Sequence, residues 1–165
     1  MTPEFKADYD RYTELAMHRR GLIINEVIML ERLIDEYIAY YFCKDKTLKN
    51  ELLELIICTN RMIFENKVQV VKCLLERHDP DTLKKYPNMI GDIINKIIPI
   101  RNEFAHYWLV TSSELSEYLK EGKTVLLKFK NTTTLEIYDE EKVGSIIKLV
   151  SNYIRVFMDF ENAQT

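Results

Sequence analysis

Glycine and proline are scarce in this 165-residue chain, four of each, and 47% of its residues are apolar, which excludes collagen-like, low-complexity and disordered readings. Cysteine is scarcer still. Cys43, Cys58 and Cys73 are odd in number, show no CxxC spacing and lie in apolar segments of helical appearance, so they are expected to be reduced core residues, with no zinc site. Long hydrophobic runs are missing. Glu26, Glu31, Arg32, Asp35 and Glu36 interrupt the most apolar region, well short of the ~20 residues that span a bilayer, so no membrane partner is expected. The first eight residues lack both a basic start followed by an apolar stretch and a small-residue cleavage site, so no secretion signal is read and the cytoplasm is the expected compartment. An excess of positive charge is missing too. With 23 basic and 26 acidic residues, nucleic acid would have to be held by a local cluster of cations rather than by a general field.

What is present is apolar periodicity, in a chain long enough to bury roughly 70% of its unfolded surface in one core. A first helix is expected over about 9–17, ended or bent at Gly21. In 22–42, Ile23, Val27, Leu30, Ile34, Tyr37 and Tyr41 recur at three- and four-residue steps, and Ile24, Ile28, Leu33 and Ile38 widen the stripe so that more than one neighbour must cover it. A short helix over 48–58 and a longer one over 61–76 follow; His78-Asp79-Pro80-Asp81 stops the second, with Asp81 the expected N-cap of the next. A loop is expected around 84–88. Ile90, Ile93, Ile94, Ile97, Ile98 and Ile100 then make a strongly apolar helix, which Pro99 should kink or restart. Past Tyr107 the period changes. A capped turn at Thr111-Ser112-Ser113-Glu114 precedes a β-hairpin, with Val125, Leu127 and Phe129 alternating on one strand and Thr134 to Tyr138 forming the other. Asp139 should cap a last helix over 140–160 that turns Val143, Ile146, Ile147, Val150, Tyr153, Ile154 and Phe157 inward. The expectation is a single, mainly α domain over 1–165, a helical bundle with a small β-hairpin inserted before the last helix.

One element carries chemistry: Arg101-Asn102-Glu103-Phe104-Ala105-His106. An Arg and a His at this spacing occur by chance in about one protein in five of this length; requiring Asn after the Arg and Ala before the His reduces that to roughly one in a thousand. On a regular helix Asn102 and His106 share a face, whereas Arg101 and His106 are about 140° apart. In a symmetric dimer a facing copy of the helix would bring each Arg101 towards the partner subunit's His106. Histidine exchanges protons near neutral pH, and the planar arginine fork matches phosphate oxygens.

The element, near the end of an apolar helix with long helices before it and one behind, resembles the signature of the HEPN family of ribonuclease-like proteins. The resemblance implies a helical bundle working as a homodimer. Its activity would be that of a metal-independent endoribonuclease, without a cofactor, of the toxin or phage-defence kind, for which a cognate antitoxin is a possible partner. Arg101, Asn102 and His106 would form the site across the two-fold axis. The hairpin is an insertion that the simplest members lack. The family also includes inactive members that bind nucleotide, RNA or a protein partner, and this remains the alternative.

Structural readings stand beside the functional ones. His106 could be a helix C-cap, and Arg101 could pair with Glu103 or Asp92. His78, Asp79 and Asp81 have metal-capable side chains, but Pro80 and a helix boundary account for them. His18, Arg19 and Arg20 could guide RNA or could be a solvated helix end. Tyr37, Tyr40, Tyr41 and Phe42 could stack on bases, although at helical spacing they read as core or dimer interface. No phosphate-binding glycine loop, activated serine or paired catalytic carboxylates are visible.

Overall fold

A helix persists wherever its apolar stripe continues, and a lone glycine does not end it. In the computed structural model, which describes residues 3–59, 62–110, 118, 121–129 and 132–162, α1 runs unbroken over Pro3–Phe42. The break expected at Gly21 is therefore corrected. A Cβ there would meet nothing within 4 Å, so Gly21 is an exposed mid-helix residue. Its entropic cost of ~1 kcal/mol is small beside the burial of Tyr12, Ala16, Ile23, Val27, Leu30 and Ile34 along the same helix. Ile28 stays exposed, so the buried stripe is narrower than its sequence suggests.

Asp45 caps α2, Lys46–Leu52, by accepting from the Thr47 and Leu48 amides. The helix continues into a π-helical turn over Leu53–Ile57, closed by a bond from the Cys58 amide to the Leu53 carbonyl. After α3, Phe64–His78, the N-cap of α4, Pro80–Lys85, is Asp79 and not Asp81. Proline belongs at the first helical position, where its missing donor is not needed, so the residue before Pro80 is the cap. A turn at Tyr86-Pro87-Asn88 leads to α5, Met89–Asp92, a second π-helical turn at Ile93–Ile97, and α6, Ile98–His106. The disturbance expected at Pro99 thus takes the form of a widened turn just before it.

The strands β1, Trp108–Leu109, β2, Thr124–Phe129, and β3, Thr133–Tyr138, form an antiparallel sheet in that order. The hairpin register pairs Val125 with Ile137 and Leu127 with Leu135; β1 is an added edge strand, pairing Trp108 with Leu127. The turn expected at 111–114 lies outside the described residues. Asp139 accepts from the Lys142 amide at 2.7 Å and caps α7, Glu140–Asn162, as expected. The chain is mainly α, with the small sheet placed before the last helix. Among the described residues no helix is long and apolar enough to cross a membrane.

The chain divides into two compact units, one of Met1–Glu26 with Ile100–Leu149 and the other of Val27–Pro99 with Val150–Thr165. The core of the first holds Tyr12, Phe104, Val125, Leu126 and Tyr138; that of the second holds Leu30, Ile34, Val68, Leu75, Ile93, Ile97 and Phe157. The three cysteines are free but are not core residues: Cys43 is half-buried, and Cys58 and Cys73 are exposed. Cys58 follows a π-helical turn and Cys73 falls on the outer side of α3, next to buried Leu74 and Leu75.

Candidate active site

The first unit places the Arg-Asn-His element on the last turns of α6. Phe104, the only fully buried residue of that helix, meets the Tyr138 ring edge-on at 4.6 Å between centroids, which fixes the helix to β3. The Tyr138 hydroxyl donates a short hydrogen bond to Glu103 Oε2, and Lys128 Nζ stands 3.9 Å from Glu103 Oε1. Burial, together with the Glu103 carboxylate, pushes the Tyr138 phenol well above its ordinary value, so it stays a donor. The chain leaves α6 at Tyr107, whose carbonyl accepts from Arg20 Nη2. Both sides of the helix end are thus held.

With Phe104 turned inward, Asn102 and His106 are exposed and Arg101 is half-buried. Arg101 Nη1 donates to Asn102 Oδ1 at 3.1 Å. This contact changes the separation expected from helix geometry. The Arg101 and His106 backbones are about 140° apart around the axis, but the guanidinium tip rests on Asn102, which shares the face of His106 one turn on. Among the described residues no hydrogen bond joins His106 to Arg101 or Asn102.

The pairings considered for Arg101 are otherwise engaged. Glu103 is taken by Tyr138 and Lys128, and Asp92, in the other unit, accepts from Tyr153 and pairs with Lys96 at 2.7 Å. Arg101 has five N–H donors and uses one of them on Asn102. An anion approaching this face would meet the remaining N–H donors of a half-buried arginine whose hydrogen bond to Asn102 is solvent-exposed.

The other candidates are accounted for structurally. Arg19, 7% exposed, donates through Nη1 to the Gly122 and Tyr138 carbonyls and the Thr124 hydroxyl, and Arg20 holds Tyr107. The basic patch expected at 18–20 is therefore corrected: its two arginines clamp the sheet and the end of α6. Only His18 lines an open cleft of about 570 Å³, with Asp8, Arg11 and Glu14. Asp79 is occupied by the Thr82 amide and hydroxyl, Asp81 by Lys84, and His78 packs on Tyr41 at 5.0 Å. Among the described residues no three His, Cys, Asp or Glu side chains converge on a metal site. Tyr37 packs against Phe157 and Phe160, and Tyr41 against Phe42 and His78, so these two tyrosines are half-buried packing residues of the second unit, while Tyr40 and Phe42 are exposed.

Sequence reasoning missed one feature of the first unit. Trp108 and Phe129 stand exposed on the sheet with ring centroids 5.3 Å apart. Phe129 was expected to turn inward with Val125, and a two-residue strand carries no periodicity by which Trp108 could be placed.

No family model, curated protein or solved structure matches the chain.

Proposed function

We propose that the chain is a HEPN-like, metal-independent endoribonuclease that acts as a homodimer through Arg101, Asn102 and His106. The observation that carries this reading is the Arg101 fork resting on Asn102, on the face of an exposed His106, with Glu103 and Asp92 both engaged elsewhere.

In the proposed reaction a ribose 2′-hydroxyl gives its proton to one His106 as its oxygen attacks the adjacent phosphorus. The P–O5′ bond breaks, and the partner subunit's His106 protonates the leaving oxygen, leaving a 2′,3′-cyclic phosphate and a 5′-hydroxyl. Arg101 stabilises the charge that grows on the non-bridging oxygens, and Asn102 keeps the fork in place. A toxin or phage-defence role, with a cognate antitoxin, is the setting that suits such an activity.

The test is incubation of a mixed RNA pool with wild-type and His106→Ala protein in EDTA, with dimerisation measured for both. Cleavage to cyclic phosphates by the wild type alone is the expected result. One observation favours a second reading, a silent module that binds RNA, nucleotide or protein. The net charge of −3 gives no general attraction for a polyanion, so saturable binding without turnover would establish that reading instead.

A further inference from the structure

The chain changes from helix to strand at Tyr107, between His106, the last residue of α6, and Trp108, the first of β1. On either side of that switch the backbone is held: Glu103 and Phe104 fix α6 to Tyr138, and Trp108 and Leu109 pair with β2. The switch itself needs further partners, because a helix leaves its last carbonyls without intrahelical donors and tends to fray there. The Tyr107 amide closes α6 by donating to the Glu103 carbonyl at 2.9 Å, and the Tyr107 carbonyl accepts from Nη2 of Arg20 on α1. Lys128 Nζ stands 5.4 Å from the centre of the Tyr107 ring, but a ring can turn about its side-chain bonds without moving the backbone. The contact that fixes the main chain after His106 is therefore the one from Arg20.

The accepting carbonyl belongs to the residue that directly follows His106 and lies at most about 6 Å from the His106 Cα. A guanidinium suits this place, since its bond to a carbonyl is charge-assisted and the end of a helix favours a cation. Arg19, the preceding residue, donates instead to Gly122, Thr124 and Tyr138, so it holds the sheet and leaves the end of α6 to Arg20. Resting on the ribonuclease reading of the Arg101, Asn102 and His106 element, we propose that Arg20 is a positioning residue for that reaction. Through the Tyr107 carbonyl it sets the last turn of α6, and with it the direction from which His106 meets the ribose hydroxyl or the leaving oxygen. Arg20 does not touch the substrate. Its effect therefore falls on the proton transfer, where an error of about 1 Å costs on the order of 100-fold in rate.

The test compares the full-length wild type with Arg20→Met, which keeps the stem and loses the donors, and with Arg20→Lys. Cleavage of one RNA in EDTA is measured below the Tm of every variant, with dimerisation checked, and exchange of the Tyr107 amide is followed by NMR. In Arg20→Met kcat should fall about 10- to 100-fold while KM stays within about 2-fold, and Arg20→Lys should recover much of the loss. The Tyr107 amide should exchange about 10-fold faster in Arg20→Met. The Val143 amide, which bonds to Asp139 in the first turn of α7, should not change. If Arg20→Met does not fold, Arg20→Gln, a shorter and neutral donor, is read by the same two measurements. An unchanged kcat in a protein whose wild type cleaves RNA overturns the positioning role and leaves the ribonuclease reading standing. A change confined to KM overturns it too, because it would put Arg20 on the substrate; so does a lower kcat with Tyr107 exchange unaltered, which would mean that Arg20 acts by another route. Wild-type protein that cuts nothing removes the ribonuclease reading, and this role falls with it.

Discussion

Lys67 is 4% exposed and its ammonium sits 2.7 Å from Glu31 and 3.0 Å from Asp35, themselves one turn apart on α1. Burial alone would depress the lysine, but the hydrogen bonds to Glu31 and Asp35 outweigh it and hold the ammonium above its ordinary value. For Asp35 the balance falls the other way. Burial raises its carboxyl more than Lys67 lowers it, and its Oδ1 lies close to Nζ without a hydrogen bond. Removing the cation should leave a buried carboxylate uncompensated: Lys67→Met is expected to cost about 3–5 kcal/mol in urea unfolding at neutral pH. The loss should shrink at about pH 5, because a carboxyl whose folded pKa is raised destabilises only as pH climbs above its unfolded value of ~3.9. A loss independent of pH would contradict this account. None of this was legible from the residues alone, since Glu31 and Asp35 read as interruptions of an apolar stripe, and only the packing of α3 turns them into partners for Lys67.

For the elements, periodicity was a sound guide wherever one face is buried: α3, the isoleucine-rich run into α6, the hairpin and α7 lie where their spacing places them. Local rules failed where two of them competed. Gly21 signals a stop, but the apolar stripe on both sides carries α1 through it; Asp81 has the composition of a cap, but Pro80 takes the first helical position and leaves that role to Asp79. The continuity of α1 can be tested. With open space around its Cβ position and no left-handed backbone, Gly21→Ala should raise stability by about 0.5–1 kcal/mol, seen as a higher Tm. Unchanged or lowered stability would mean that Gly21 does interrupt the helix. The edge strand β1 could not be read from sequence, because two residues define no alternation; that is why an exposed Trp108–Phe129 pair was not anticipated.

At the scale of the whole molecule, each unit contains a tyrosine whose hydroxyl donates to a carboxylate, Tyr138 to Glu103 in one and Tyr153 to Asp92 in the other. Burial and the facing carboxylate raise both phenols. The folded state then keeps protons that the unfolded chain sheds near pH 10, so stability should fall as pH rises past that point. Melts between about pH 8 and 11 should show a steep alkaline loss of Tm, and Tyr138→Phe should make it shallower while lowering stability near neutrality by about 1–3 kcal/mol. An alkaline limb of unchanged slope would remove Tyr138 from the account. The candidate site was legible as a string of residue types, because chemistry follows residue identity; its support was not, because Glu103 and Phe104 look like spacers between Asn102 and His106. They are the two residues by which α6 grips Tyr138. The letters between the reactive ones are therefore not free to drift: positions 103, 104 and 138 would be inherited as a set, and a descendant that discarded the hairpin would have to find α6 a new anchor.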